Sequence, residues 1–363
     1  MCDATAKLPV IQPAAHGAEH MELSVLTFNV EGLPWPARSH RNAKLDRIGT
    51  TLARLRASGQ APDVVLLQET FSSRAAAIAR RSGYRNIVFG PGARDHRQGM
   101  RASLPDDFVA ARSFTKGERF PKLVGSGLVI LSDYPVTAVM SMPFSRHACA
   151  GFDCLSNKGA MLVRVAIPGV PTPVDVFTTH MNSQGASGVG LARSHEAHRF
   201  QIDENAQFLR QARDARDPLI FGGDFNMRFA PDLLAYFLAR EPFALVEKHC
   251  SVAANFCKTS GSATSLSSWL KTQDLQGFDN GDLVTLRPTA VTAMFDRASG
   301  TRLSDHDGYE VTYRLSWTPA RDRKPRRRQV AASGTPSPAA GPAEAGLIPT
   351  VPAAQLRKCP LLT

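Results

Sequence analysis

Apolar residues along this chain alternate with polar ones or gather in short blocks, and most of these blocks read as strands. "MELSVLTFNV" (21–30) alternates and is rich in β-branched residues, which predicts a strand. "APDVVLLQET" passes through a Pro-Asp turn into a continuous apolar run, the pattern of a strand covered on both faces. "GSGLVILSDYPV", "GAMLVRVAI", "VDVFTTHMNS" and "DPLIFGGDFNM" read the same way, and "AVTAMFD" and "LSDHDGYEVTYRL" close the patterned region. Two stretches keep a helical period instead: Leu45, Ile48, Leu52 and Leu55 within 41–58, and Ile202, Ala206 and Leu209 within 192–212. Periodicity is weak over 91–121, read as a long surface insertion, and over the serine-rich 247–280. No internal repeat is present.

Strands outnumber helices, and polar residues recur where strands end. That predicts an α/β fold in which two packed sheets carry helices outside them, with the polar strand ends converging on one rim. The expected catalytic domain spans 21–316, between a flexible leader at 1–20 and a disordered, basic, Pro- and Ala-rich tail at 317–363.

Composition changes this picture in three ways. A chain of 363 residues can bury one sizeable core, and no apolar run approaches the roughly 18 residues of a membrane span. The first 20 residues hold no continuous apolar core, so no export signal is expected. Of the net charge of +11, the region from Trp317 onward carries 8 Lys/Arg against 2 Asp/Glu, leaving the body at only +5. Overall basicity is therefore a poor argument for nucleic-acid binding. The run "RKPRRR" (323–328) is either a solvated arm or a peripheral contact to an anionic membrane or to nucleic acid. A monomer is expected.

The six cysteines fit no zinc spacing. Cys149 with Cys154, and Cys250 with Cys257, can each close a short disulfide loop or remain reduced, and the sequence leaves both open.

The chemistry collects at five strand ends: Asn29; Glu69; His180; Asp224 with Asn226; and Asp305 with His306. One such residue alone is usually a turn residue. Together they supply the oxygens that a hard divalent cation needs and imidazoles for acid/base work. Mg²⁺, or another divalent cation such as Mn²⁺, would be held by Glu69, Asn29 and Asp305. His306 is the expected base, with Asp274 of "TQDLQGF" fixing its tautomer. His195 and His198 stand one helical turn apart, but no carboxylate completes a zinc site. Gly222-Gly223 is read as close backbone passage rather than a phosphate loop. Trp35 and Phe225 are either entrance or rim packing. In "FDCLSNKGAMLV" (152–163), Asp153, Asn157 and Lys158 crowd the start of a strand, where a plain loop needs only the glycine.

"TFNVEGLP", "LLQET", "SGLVILSDYPV", "TTHMN", "GGDFNM" and "LSDHDGYEV" occur in the order found in the endonuclease/exonuclease/phosphatase superfamily, which the chain resembles over about 21–315. The resemblance implies a four-layer α/β/β/α sandwich of two mixed sheets. It further implies Asn29 and Glu69 as metal ligands, His180 as a stabiliser of the phosphoryl transition state and His306 as general base beside Asp305. Asp224 and Asn226 would position the nucleophile or phosphate.

Within that superfamily, "CAGFDCLSNKGAMLVRV" and "QIDENAQFL" (201–209) are similar to segments of bacterial neutral sphingomyelinases. That similarity implies a rim position beside His180, where Asp153 and Asn157 would face substrate and Lys158 would meet an anionic phosphate. Three features depart from those enzymes: no export signal, no recognisable aromatic membrane-inserting hairpin, and His198 where an arginine often stands. The expected activity is metal-dependent hydrolysis of a phosphodiester by water, with a phospholipid headgroup as the leading substrate. The alternatives are a nuclease acting on DNA or RNA and a phosphatase of the same superfamily. A catalytically silent binding module is disfavoured, because every metal and base residue type is present.

Overall fold

The computed structural model describes residues 7–96, 104–241, 243–261, 274–296, 300 and 302–319. Two mixed sheets pack face to face. The first contains β1 (Gln12–Pro13), β2 (Glu19–Asn29), β3 (Val64–Gln68), β4 (Asn86–Phe89), β5 (Val129–Ser132), β11 (Lys258–Ser260), β13 (Val284–Met294) and β14 (Gly308–Trp317). Its order is β11-β13-β14-β2-β3-β5-β4, with β1 laid on the start of β2. The second contains β6 (Val136–Pro143), β7 (Gly159–Val165), β8 (Val174–His180), β9 (Leu219–Asp224), β10 (Ala244–Leu245) and β12 (Asp274–Asp279), in the order β10-β12-β9-β8-β7-β6.

Alternation along the strands builds the layers, since successive side chains point to opposite faces. Leu23 and Val25 of β2, Val64 and Leu66 of β3, Val176 of β8 and Ile220 of β9 meet between the sheets. Leu26, Phe28, Val65 and Leu67 face outward onto Leu45, Ile48 and Leu52 of α1 (Asn42–Ala57) and onto Ala75 and Ile78 of α2 (Ser73–Arg81). On the other side, Leu162, Phe177 and Phe221 pack against Ile202, Phe208 and Leu209 of α4 (Leu191–Ala212) and against Leu233 and Phe237 of α5 (Pro231–Arg240). The short α3 (Asp106–Ala110) and α6 (Val246–Ser251) complete the helices among the described residues. The result is the expected helix/sheet/sheet/helix sandwich, with each fully buried Leu, Val or Phe contributing about 1.5–3 kcal/mol.

Gly222 lets the sheets approach: a Cβ there would stand 2.9 Å from Leu66 Cδ1 across the interface. Gln68 and Gln276 bridge the same interface. Gln68 Nε2 donates to Thr178 Oγ1 at 3.2 Å, and Gln276 Nε2 donates to Val25 O at 3.0 Å.

Pairing direction creates the rim. β2 with β3, and β8 with β9, are parallel, so each pair delivers two C-terminal ends to the same edge, with Asn29 opposite Gln68 and His180 opposite Asp224. β12 runs antiparallel to β9 and starts with Asp274 opposite Asp224.

Several segments differ from their sequence reading. Residues 7–20, expected to be a leader, lie against the first sheet: β1 pairs with β2, and Lys7 forms an ion pair with the buried Asp63 at 2.7 Å. Trp317, assigned to the tail, ends β14 as a buried residue whose Nε1 donates to Glu19 Oε2. The tail from 320 onward lies outside the described residues. Part of the 91–121 insertion is packed, since Phe108 and Glu118 are buried. The weakly patterned 247–280 holds α6, β11 and β12, three elements too short to show a period.

Candidate active site

The loops that follow β2, β3, β8 and β9, together with the loop before β14, bring the polar strand ends together. Glu69 takes a positive φ of 59°, which turns its side chain off the end of β3. Gly32 permits this turn, because a Cβ there would lie 2.3 Å from Glu69 O. Asn226 also sits in the left-handed region, at φ 51°, which Asn tolerates better than most residues. Backbone strain of this kind tends to gather at working sites.

The side chains form one continuous network. Asn29 Nδ2 donates to Glu69 Oε1 at 3.1 Å and to Asp224 Oδ2 at 2.9 Å, while Asn29 Oδ1 accepts from Glu31 N at 3.0 Å. His180 Nε2 lies 3.5 Å from Asp224 Oδ2 and 4.0 Å from Glu69 Oε1. His306 Nδ1 is 2.7 Å from Asp274 Oδ2, and its Nε2 is 3.8 Å from Asp224 Oδ2. Two groups therefore share Asp224: Glu69, His180 and Asp224; and Asp224, Asp274 and His306. In each, the possible ligand atoms lie within 4.8 Å of one another.

Asp305, expected among the metal ligands, stands outside both groups. It is about half exposed, 3.6 Å from Arg38 and 3.9 Å from His306 Nε2, and its backbone N–H donates to Glu31.

Burial sets the proton affinities. It raises Glu69 to about 7, against the easing effects of Asn29 and Lys158, and it raises Asp224 to about 6. Burial also holds His180 well below its ordinary value, so its imidazole is neutral. At His306 burial pulls the same way, but the carboxylates of Asp274 and Asp224 outweigh it and hold the ring well above its ordinary value.

The polar cluster before β7 is present but turned inward. Lys158 Nζ, buried, donates to Met181 O at 2.8 Å and pairs with Asp153 at 3.0 Å. Met181 O also accepts from Asn226 Nδ2 at 3.0 Å, and the other Asp153 oxygen accepts from Ser183 N. Asn157 Nδ2 donates to the carbonyls of Gly92 and Asp95. Asp153 and Lys158 thus brace the β8 end beside His180, while Asn157 ties the loop to residues 92–95. Cys149 and Cys154 are joined as a disulfide around this segment, as are Cys250 and Cys257 in their loop.

Other expectations separate cleanly. His198 is fully buried and held at about 3 by its burial, a neutral core histidine, while His195 lies 3.7 Å from Asp232. Phe225 packs in the core on Phe221 and Phe237, and Trp35 is exposed. A Cβ on Gly223 would stand 2.3 Å from Thr179 O, the close passage expected of the Gly-Gly pair.

Three supporting residues lie inside the quoted motifs but are not among the expected site residues. Ser304 Oγ donates to Asn29 O at 2.7 Å and accepts from His306 N, tying the β14 loop to β2. Gln201 accepts from Asn182 N and donates to Ala148 O, and Asn182 Oδ1 accepts from Ala150 N. Gln201 stands in the quoted "QIDENAQFL", so position there was the available clue.

Comparison with known proteins agrees with this fold. The sequence matches the Endonuclease/Exonuclease/phosphatase family over residues 26–323, which is most of the chain. No curated protein matches it in sequence. Sphingomyelinase C from Streptomyces griseocarneus superposes with a TM-score of 0.54 at 20% identity, covering 80% of this chain and 99% of that one. A double mutant of the Staphylococcus aureus beta toxin with bound magnesium ions gives 0.54 at 16% identity, with the same two coverages. D. rerio TDP2 complexed with single strand DNA product gives 0.51 at 16% identity, covering 80% of this chain and 98% of that one. At these identities the likeness is one of fold. The chain belongs to the Endonuclease/Exonuclease/phosphatase family, a divalent-metal-dependent group that hydrolyses phosphate esters.

Proposed function

We propose that this member of the family is a Mg²⁺-dependent phosphodiesterase of the sphingomyelinase type, releasing a phosphorylated headgroup from a phospholipid. The observation that carries the hydrolytic part is the pair of acid-imidazole groups sharing Asp224. The lipid part is supported by the braced segment before β7, whose Asp153, Asn157 and Lys158 match the sphingomyelinase-like stretch of the sequence. It is also supported by the structural likeness to a sphingomyelinase C.

The residues fit a divalent cation. Glu69 and Asp224 are desolvated carboxylates, both raised by burial, in a site where Asp224 also feels Asp274. A cation relieves that cost, as it does in most oxygen-rich sites. The imidazole of His180 reaches the same place with Nε2, while its buried Nδ1 has no hydrogen-bond partner among the described residues. Glu69 and Asp224 would hold the metal, with Asn29 steadying both carboxylates through Nδ2. When bound, the metal would polarise the phosphoryl oxygen and stabilise the leaving oxygen.

The chain's own groups do the rest. Asp274 accepts the Nδ1 proton of His306 and leaves Nε2 directed at Asp224; with the carboxylate charge that keeps the ring protonated offset by a cation beside Asp224, Nε2 would then take a proton from the attacking water. Asp224 and Asn226 orient that water and the phosphate, Asn226 being fixed by its bond to Met181 O. His180 donates toward the charge that develops on the phosphoryl oxygens. Asp153 and Lys158 hold the backbone beside His180 in place, a positioning role.

One substrate panel tests the reading: phosphocholine lipids in mixed micelles, inositol phosphates and plasmid DNA, compared under the same Mg²⁺ with and without chelator. Headgroup release that vanishes with chelator and with His306→Ala is the expected result. Chelator-insensitive turnover overturns the metal assignment, and plasmid nicking without headgroup release moves the enzyme to the nuclease branch.

A further inference from the structure

Strand register fixes which loops share the active-site end. β5 begins with Val129 opposite Leu67, near the end of β3, and β7 begins next to the end of β8, with Ala160 opposite Thr179. The loops before β5 and β7 therefore open on the same side as His180 and Glu69. These two loops expose Phe114 (63%), Phe120 (44%), Leu123 (63%) and Phe152 (47%).

The four form one surface. The Phe114 and Phe120 rings pack at a tilt with centroids 4.8 Å apart, and Lys116 Nζ stands 5.6 Å from the centre of the Phe152 ring. Leu123 N donates to Leu155 O, which joins the two loops.

The charge of this surface is one-sided. "RSFTKGERFPKL" (112–123) holds four cations and one acid. That acid, Glu118, is buried, and its carboxylate accepts from Arg193 and from the backbone of Gly151 and Ser113. Arg119 is exposed and Lys116 half-buried, so the aromatic side chains stand among positive charges.

We propose that this face docks on the surface of a phospholipid bilayer carrying anionic lipid. The phenyl rings and Leu123 enter the boundary between headgroups and acyl chains, with Lys116 and Arg119 against lipid phosphates. Single-stranded nucleic acid is the other polymer that seeks aromatic and basic surface. It would leave Leu123 without use, and two of the rings are already occupied by each other. Hydrocarbon accepts all four side chains. The inference deepens the phospholipid reading and rests on it for the identity of the substrate, but docking itself needs no turnover.

Co-sedimentation with phosphatidylcholine vesicles, alone or with about one-third phosphatidylserine, tests it. Phe114→Ser with Phe120→Ser is expected to lower partitioning about tenfold or more on both vesicle types. Lys116→Gln with Arg119→Gln is expected to lower it on anionic vesicles alone, an effect that added salt reproduces. Because the serine pair removes a ring contact, Phe114→Trp supplies an independent readout, and its emission is expected to shift blue on vesicles. Unchanged partitioning in the serine pair, an unshifted tryptophan, or loss of oligonucleotide retention with vesicle binding intact overturns the proposal. Vesicle binding of the expected kind by a protein that releases no headgroup supports the docking face and overturns only the substrate reading.

Discussion

A carboxylate 2.7 Å from one ring nitrogen determines what the other nitrogen can do, and Asp274 holds that position for His306. Asp274→Asn keeps the size and removes the charge, so kcat should fall by about 10²–10⁴ while KM changes little. Steady-state kinetics on the best substrate of the panel checks this. Lys158 differs, because its ammonium is buried between Asp153 and Met181 O. Lys158→Met leaves Asp153 without its partner and should cost about 3–5 kcal/mol in urea unfolding. An unchanged midpoint would return the residue to solvent. Asn29, Glu69, His180, Asp224 and His306 were legible in the sequence because each ends or precedes a strand, where a polar side chain has few structural uses. The inward turn of Lys158 and the place of Asp305 outside both acid-imidazole groups were not, since a sequence does not say where a long or rim side chain points.

The strands themselves carry the site, and the Gly222-Gly223 pair in β9 is the tightest part of that support. Gly223→Ala places a methyl on the Thr179 carbonyl, backbone that cannot swing aside. The loss should be about 1–3 kcal/mol, read as a lower melting temperature, with turnover falling too because Asp224 is the next residue. Long strands with clear alternation, such as β2 and β14, were legible along with the helices α1 and α4. Short elements were not: β1, β10 and β11 have two or three residues each, too few for any period. They exist because a neighbouring strand offers a free edge.

At the scale of the whole molecule, pH acts on buried carboxylates away from the site. Burial raises Glu310 in β14 from 4.5 to about 7. The folded state therefore binds this proton more tightly than the unfolded chain does. The contribution is full below pH 4.5 and is lost as pH rises through about 7. Glu310→Gln should match the parent protein in acid and exceed it in melting temperature at pH 8, as thermal unfolding across that range will show. The fold class was legible because strand count, helix period and polar strand ends all agreed, whereas the docking face was hidden in a segment whose weak periodicity made it look like plain insertion.

The course of β14 has a consequence for how such a protein would hang on a surface. Its ten residues run about 33 Å, from beside His306 to Trp317 at the opposite edge, where Trp317 pairs with Glu19. Seated on its aromatic face, the molecule would therefore hold Trp317 and Glu19 on the side turned away from the bilayer, standing end-on to the surface rather than lying along it.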